Sequence, residues 1–321
     1  MSGKSAYSNP VYRTFEVHVL GSSAATPTSL RHTTAQALRF HNKWFLLDCA
    51  EGTQMQLRRM KIPMMRIHHI FISHLHGDHY LGLPGLLFSL HLLGRKAALH
   101  VYSPPGLREV IEVQFRVSGL VPQFETIFHE VVKGGELVYE DADLAVESLE
   151  MEHRIPCFGY LFREKPIERN IRKESISRYS IPVRQMAGIK RGKDLLMPDG
   201  KVVPNEEITR CPPRARSYAF CSDTAYTEKF LAQVMGVDLL YHEATFLQDK
   251  ADIAKEKTHS TTIEAASLAK KAGAGQLMLG HYSARYKDMG LFLKEARQVF
   301  PNTILAEEGV VTQVSAFASG T

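Results

Sequence analysis

Short apolar or alternating runs closed by turn residues recur along the chain from Phe15 onward and predict β-strands. The first three, FEVHVLG at 15–21, AQALRF at 35–40 and KWFLLDC at 43–49, follow one another closely, as hairpin-linked strands do. Several later runs end in polar residues that can bind metals, namely HHIFIS at 68–73, YAFCS at 218–222, VDLLYHEAT at 237–245 and QLMLGHYS at 276–283. Ligands at strand ends are typical of sites in open α/β sheets.

Helical periodicity is clearest at 262–273 and is also present at 226–235 and 290–299. Thr261 and Glu264 have the spacing of a capping box at the start of the first of these segments. Strands interleaved with helices predict a layered α/β sandwich. We therefore predict a single domain over 15–316, with a flexible leader at 1–14 and a flexible tail at 317–321.

The segment from about 162 to 213 has a different pattern, because it contains six prolines and only weak apolar periodicity. Between Arg163 and Lys193 there are ten basic and three acidic residues, in a chain whose net charge is only +5. A long stretch with so little core character is either disordered or a functional excursion from the domain. We predict a protruding basic arm, with a solvated charged loop as the alternative.

Composition excludes several classes of protein. The chain is 44% hydrophobic and 23% charged, as in ordinary globular proteins. Its four cysteines form no CxxC pair, which argues against a disulfide scaffold or an all-cysteine zinc module and favours a reducing, cytoplasmic location. The most apolar stretch, residues 80–94, is interrupted by Pro84 and His91 and is too short to cross a bilayer, so we expect no membrane association.

The strongest chemical signal is HLHGDH at 74–79, directly after the buried strand predicted at 68–73. In an extended turn, His74 and His76 can face one metal ion while Asp78 and His79 turn toward a second. Imidazole and carboxylate without thiolate suit zinc, with manganese or iron as less favoured choices. A histidine-rich surface loop is the alternative, but four ligand-type residues among six disfavour it.

This HxHxDH pattern resembles the metallo-β-lactamase superfamily, and the resemblance extends from about Phe15 to Val314. It implies a four-layered αβ/βα sandwich and further ligands at His153, Asp223 and His281. Asp223 would bridge two ions. The implied ligand sets are His74, His76, His153 and Asp223 on one ion, and Asp78, His79, Asp223 and His281 on the other.

Finer motifs resemble the ribonuclease Z family, whose members trim tRNA 3′ ends. They are LLDCAEGTQ at 46–54, GLPGLL at 82–87, HEATF at 242–246, HSTT at 259–262 and HYSARY at 281–286. The resemblance implies a zinc-dependent endoribonuclease with two Zn²⁺ per subunit that removes the 3′ trailer from precursor tRNA. The tRNA would keep a 3′-hydroxyl and the trailer would carry a 5′-phosphate.

The same resemblance implies roles for individual residues. Asp78 would orient the attacking water and accept its proton. His259, held by Glu243, would protonate the leaving group, although helix capping is an alternative role for both. Ser283 and Arg285 would contact phosphate oxygens.

The chain departs from the family pattern in two places. GSSAATP at 21–27 replaces a glycine-richer turn, which we expect to change how Thr26 and Pro27 face the site without touching the metals. The arm also lacks a clear Gly-Pro motif, with only Ile181-Pro182 and Gly188 as loose counterparts. Its charge still favours contact with the phosphate backbone of precursor tRNA.

The sequence also bears on assembly and on alternative functions. The segment GLPGLLFSLHLL at 82–93 is apolar on more than one helical face, and with the resemblance this predicts a homodimer. Burial of that helix in its own core is the alternative. Another binuclear metal hydrolase, such as a small phosphodiesterase or arylsulfatase, would not need the basic arm. A non-catalytic RNA-binding module would not need the complete ligand set.

Overall fold

The computed structural model describes residues 14–317, so nearly all of the predicted leader and tail lie outside the described residues. The chain divides into two compact units. The larger unit contains the described residues up to Arg163 and those from Arg216 onward, and the smaller unit is Glu164–Ala215. The arm predicted at 162–213 corresponds in sequence to the smaller unit.

One seven-stranded sheet of the larger unit, the first sheet, comes mainly from the N-terminal part of the chain. The predicted hairpin-linked strands are present as antiparallel neighbours. The following three strands continue the sheet in parallel. In spatial order the strands are Val311–Gln313, Phe15–Gly21, Ala35–Phe40, Lys43–Leu47, Ile67–Phe71, Leu99–Ser103 and Thr126–Glu130.

The other seven-stranded sheet of this unit, the second sheet, combines four parallel strands with an antiparallel part. Phe158–Glu164 pairs antiparallel with Ser217–Cys221, and Arg163 lies opposite Ser217. The spatial order is Thr303–Leu305, Gln276–Gly280, Leu239–Glu243, Ser217–Cys221, Phe158–Glu164, Leu144–Glu150 and Leu137–Glu140. A separate short parallel pair joins Ser23–Ala24 to Tyr282–Ser283.

The helices of the larger unit connect strands of both sheets. The α-helices are Thr53–Arg59, Gly77–Tyr80, Gly82–Leu92, Leu107–Ser118, Leu231–Val234, Ala251–Lys257, Thr262–Ala272 and Gly290–Ala296, with 3₁₀ turns at Met64–Arg66 and Gln248–Lys250. Thr261 and Glu264 form the predicted capping box at the start of Thr262–Ala272. Of the helix predicted at 226–235, only Leu231–Val234 is helical, so that prediction was too long.

Three apolar clusters define four layers in the larger unit. Between the sheets, aromatic side chains of both meet, as in the edge-to-face contact of Phe45 with Phe162 at 5.7 Å. A second cluster packs Leu86 and neighbouring helical residues on the outer face of the first sheet. A third packs Leu268 and its neighbours on the outer face of the second sheet. The order helix, sheet, sheet, helix is the predicted sandwich.

The helix Gly82–Leu92 is mostly buried in the core of its own chain. Leu83, Leu86, Leu87 and Leu90 are all buried, which is the i, i+3, i+4, i+7 pattern of one helical face. The large apolar residues that remain exposed lie at its ends, with Leu81 at 54% and Leu92 at 80%. Much of the apolar character of this segment is therefore explained by packing within the monomer.

The smaller unit has a hydrophobic core of its own, so the expectation of little core character was wrong. Buried Ile181, Ile189, Leu195, Val203 and Ile208 form this core. The apolar residues are spread over short elements and have no single period, which explains the weak pattern in the sequence. The elements are the helices Lys173–Arg178, Val183–Lys190 and Asn205–Ile208, and the strand pairs Asn170–Ile171 with Thr209–Arg210 and Leu195–Leu196 with Val202–Val203.

Candidate active site

The candidate site lies where parallel strands of both sheets end. His74 follows the strand Ile67–Phe71, Asp223 follows Ser217–Cys221, and His281 follows Gln276–Gly280. The carboxyl ends of neighbouring parallel strands meet at one edge of a sheet, so these side chains converge. His76, Asp78 and His79 come from the turn and short helix after His74, and His153 comes from the turn after Leu144–Glu150.

All seven predicted metal ligands are brought together in this cluster. One group comprises His74, His76, His153 and Asp223, with a ligand atom from each within 4.8 Å of the others. A second group comprises Asp78, His79 and His281. Asp223 also groups with His259 and His281, so its carboxylate lies between the two groups.

The buried atoms in this cluster fit metal ions. His79 Nε2, His281 Nε2 and Asp223 Oδ1 have no hydrogen-bond partner among the described residues. The two imidazole nitrogens lie 3.4 and 3.2 Å from Asp223 Oδ1. Buried polar atoms without partners are costly, and a cation among these lone pairs satisfies them together. The His/Asp cluster therefore has the character of a metal-binding site.

Ionisation in the cluster favours a charged Asp223. Burial opposes ionisation of this carboxyl group, but His281, His79 and His74 around it hold the pKa of Asp223 well below its usual range. Burial also lowers the pKa of His74 well below its usual value. An ionised carboxylate supplies the negative charge that a cation site requires.

Asp48 orients His79 and was given no role by the sequence analysis. Its Oδ2 atom lies 2.7 Å from His79 Nδ1, and both of its oxygens accept hydrogen bonds from Ser73. The proton of His79 therefore lies on Nδ1, which leaves Nε2 free to face the cluster. The LLDCAEGTQ motif contains Asp48, so the motif itself was the available signal.

The turn that follows Asp48 is bound to the histidine segment through its backbone. Cys49 N–H donates to His79 O at 2.8 Å, and Gly82 N–H donates to Cys49 O at 2.9 Å. A Cβ atom at Gly82 would lie 1.9 Å from Ala50 O, so only glycine fits there. This close approach explains the glycine that opens the GLPGLL motif.

The GSSAATP turn contacts a predicted metal ligand through its backbone. Ala25 N–H donates a hydrogen bond to Asp78 Oδ2 at 2.7 Å. The sequence could not reveal this contact, because it uses a backbone donor that every residue except proline carries.

Glu243 and His259 form the second acid–histidine pair. His259 Nδ1 lies 2.8 Å from Glu243 Oε1, and Glu243 is fully buried. Burial disfavours the imidazolium, but the adjacent Glu243 carboxylate outweighs this and raises the pKa of His259 to about 9. His259 itself is only partly buried and lines the cavity next to Asp223, so it can donate a proton there.

Ser283 and Arg285 lie at the rim of the same cavity, whose volume is about 640 Å³. Arg285 Nε donates to Ser283 Oγ at 3.1 Å. The guanidinium group also stacks on the ring of Phe246 at 4.9 Å. These two contacts hold an otherwise exposed cation in place beside the cluster, where Lys257 adds a second positive charge to the cavity wall.

Comparison with known proteins gives the family. The model of the family described as anti-Pycsar protein Apyc1 matches residues 15–163. The ribonuclease Z of Bacteroides fragilis is 44% identical over 297 residues, covering 92% of this chain and 98% of the relative. The crystal structure of the short form of human tRNase Z is 28% identical with a TM-score of 0.69, covering 94% of this chain and 99% of that one.

A metallo-β-lactamase fold protein from Bacillus subtilis has the same architecture. It superimposes with a TM-score of 0.66 at 20% identity, covering 94% of this chain and 99% of that one, which shows the shared fold. The 44% sequence identity to the ribonuclease Z of Bacteroides fragilis, over nearly its full length, is evidence of family membership as well as of a shared fold. By that similarity, the chain belongs to the ribonuclease Z family.

Proposed function

We propose that this protein is an endoribonuclease that removes the 3′ trailer from precursor tRNA, leaving a 3′-hydroxyl on the tRNA and a 5′-phosphate on the trailer. The observation that carries the proposal is the pair formed by buried Glu243 and the cavity-lining His259, which adjoins the metal-type cluster through Asp223. A phosphodiester hydrolase needs a proton donor beside the site that stabilises the phosphate, and this pair supplies it. Membership of the ribonuclease Z family supports the same reaction.

The cluster would hold two zinc ions. His74, His76 and His153 would bind one, Asp78, His79 and His281 the other, and Asp223 would bridge them. Bound zinc supplies Lewis-acid stabilisation of the phosphate and lowers the pKa of a water molecule. Imidazole and carboxylate ligands also bind manganese or iron, so metal analysis of the purified protein decides the metal's identity.

Side chains of the protein would supply the proton transfers and the contacts to the phosphate. Asp78, held by Ala25 N–H, orients the attacking water and accepts its proton. His259 donates a proton to the departing 3′-oxygen, and Glu243 keeps its imidazole protonated and oriented. Arg285 and Ser283 contact the phosphate oxygens from the rim of the cavity.

The smaller unit would bind the body of the tRNA. Its exposed cations within 163–193 are Lys173, Arg178, Arg184, Lys190, Arg191 and Lys193. Such side chains attract phosphates without reading sequence, which suits an enzyme that handles many tRNAs of one shape. The unit's own small core supports a defined surface for these charges.

We also propose a homodimer that works in the cytoplasm. Leu92, Val117 and Val121 are each at least 80% exposed. They lie on or next to the helices Gly82–Leu92 and Leu107–Ser118, which contact each other through Phe88 and Phe115. Exposed apolar residues of this kind support an interface. The free cysteines fit a reducing compartment, and the described part of the chain contains no helix long and apolar enough to cross a membrane.

Substrate choice tests the proposal against a small-molecule hydrolase. The zinc-loaded protein is incubated with a 3′-extended precursor tRNA and, separately, with bis(nitrophenyl) phosphate. We expect kcat/KM to be far higher for the tRNA, because only the tRNA can engage the basic arm. Comparable efficiency on both substrates, or hydrolysis of the small ester alone, would support the small phosphodiesterase instead.

A further inference from the structure

Thr245 contacts both halves of the site, although neither the proposed metal ligands nor the proposed proton donor includes it. This buried residue lies two positions after Glu243, which is the last residue of the strand Leu239–Glu243. Its hydroxyl oxygen is 2.7 Å from Glu243 Oε2 and 2.9 Å from His281 Nδ1. It therefore connects the carboxylate that holds His259 to a predicted metal ligand.

The hydrogen-bond pattern fixes the direction of each proton. Glu243 Oε1 accepts from Thr224 N–H at 3.0 Å and from His259 Nδ1 at 2.8 Å. Glu243 Oε2 accepts from the backbone N–H of Thr245 at 2.9 Å and from its hydroxyl. A carboxyl group with four donors around it is ionised and only accepts. The hydroxyl proton of Thr245 thus goes to Glu243, and its oxygen accepts from His281.

This arrangement determines which nitrogen of His281 faces the cluster. Because Nδ1 donates to Thr245, Nδ1 carries the proton of the neutral ring and Nε2 carries a lone pair. Nε2 is buried without a hydrogen-bond partner among the described residues, 3.2 Å from Asp223 Oδ1 and 3.6 Å from Asp78 Oδ2. A bare imidazole nitrogen is what a metal ion requires.

We propose that Thr245 is a positioning residue whose hydroxyl holds His281 in the Nδ1–H form and ties this ligand to the carboxylate that orients His259. The inference rests on the proposed binding of metal by the cluster. One buried carboxylate would then orient two histidines, His259 directly and His281 through the hydroxyl. Partners of metal-ligating histidines commonly change metal affinity by 10- to 100-fold when they are removed.

Three variants separate this role from simple packing. Thr245→Val keeps the shape and removes the hydroxyl, while Thr245→Ser keeps the hydroxyl. The matched control is Thr262→Val, because the Thr262 hydroxyl is buried without a partner among the residues that the structure describes. Zinc affinity is measured for each protein by competition with a chromogenic chelator, with no RNA present.

We expect Thr245→Val to weaken the binding of one of the two ions by roughly 10- to 100-fold. Thr245→Ser should bind both ions within about three-fold of wild type, and Thr262→Val should match wild type, since neither loses a hydrogen bond to a ligand. Wild-type affinity for both ions in Thr245→Val would overturn the proposal. So would equal weakening in Thr245→Val and Thr262→Val.

The tautomer can also be read directly, which keeps the test decisive if Thr245→Val fails to fold. Nitrogen-15 NMR of the metal-free wild-type protein at alkaline pH, assigned with His281→Gln, should show the His281 proton on Nδ1. A proton on Nε2 would refute the role of Thr245. Neither readout involves tRNA, so a protein with the expected tautomer and affinities that leaves precursor tRNA uncut would refute only the proposed function.

Discussion

Ala25 N–H and Asp78 Oδ2 are joined by a 2.7 Å hydrogen bond across 53 positions of sequence. Ala25 has a φ of 59°, in the left-handed region where a side chain is disfavoured and glycine is at ease. The backbone thus adopts a strained conformation at the position whose N–H anchors Asp78. This link explains why a turn without side-chain chemistry matters to the site.

Substitution of Ala25 should affect catalysis according to backbone freedom. Ala25→Gly can keep φ near 59° at lower strain, so its cleavage rate should equal that of wild type. Ala25→Val places a β-branched residue in the left-handed region, which should displace the N–H from Asp78 and lower kcat roughly ten-fold. The measurement is single-turnover cleavage of precursor tRNA. Equal rates for both variants would mean that the hydrogen bond does not support catalysis.

Replacing Asp223 tests the proposed bridge. Asp223→Ala should abolish cleavage and reduce bound zinc at the same time, because one carboxylate serves both groups of ligands. Metal content by elemental analysis and rate are measured on the same samples. Asp249→Ala, at an exposed carboxylate outside the cavity, is the control and should change neither. A variant at Asp223 with two ions and a near-normal rate would rule out the bridge.

His259 should act on the leaving group and not on the metals. His259→Ala is expected to lower the rate by roughly 10²- to 10⁴-fold, the usual contribution of a general acid, with zinc content unchanged. A precursor tRNA with sulfur in place of the departing 3′-oxygen needs no proton donor, because a thiolate leaves readily. The variant should cleave that substrate almost as fast as wild type does. Loss of zinc, or an equal defect on both substrates, would exclude the acid role.

Removing the smaller unit should weaken tRNA binding and leave the chemistry intact. Arg163 and Ser217 lie opposite each other on adjacent antiparallel strands, so Asn-Gly placed between Arg163 and Arg216 can replace the unit with a three-residue hairpin loop. KM for precursor tRNA should rise steeply, since these contacts act equally in ground and transition states. Hydrolysis of bis(nitrophenyl) phosphate should stay near wild type.

A charge-neutralised arm controls for loss of shape. Glutamine at the six exposed Lys and Arg positions within 163–193 leaves the core of the smaller unit unchanged. Each lost phosphate contact should reduce the log–log salt slope of binding by about 0.7–0.9. If the salt dependence of tRNA binding is unchanged in both the deletion variant and the neutralised variant, the arm has no role in tRNA recognition.

Mixed dimers of arm-deleted and Asp223→Ala chains test which subunit the arm serves. Restored cleavage in these dimers would show that the arm serves the partner's site.

The convergence of the predicted metal ligands could be anticipated from sequence, because nearly all of them stand directly after a strand-like run or in a dense motif. His74, Asp223 and His281 follow buried strands, and parallel topology brings strand ends together without any further information. The capping box at Thr261 was equally predictable, since its spacing alone specifies the hydrogen bonds.

The roles of the residues that orient the predicted ligands could not be assigned from sequence, although the LLDCAEGTQ motif marked Asp48. Asp48 and His79 are 31 positions apart, and only the tertiary fold places their side-chain atoms 2.7 Å from each other. Ala25 acts through a backbone N–H, which carries no sequence signal. The core of the smaller unit was missed for a related reason, because its apolar residues come from several short elements and share no period.

The position and chemistry of the cut in a 3′-extended precursor tRNA test the central claim most directly. The purified zinc-loaded protein is incubated with end-labelled substrate, and both products are mapped at nucleotide resolution with their terminal groups identified. The account predicts a single cut at the 3′ side of the acceptor stem, a tRNA with a 3′-hydroxyl and a trailer with a 5′-phosphate. Cuts elsewhere in the RNA, or a 3′-phosphate on the tRNA, would contradict it.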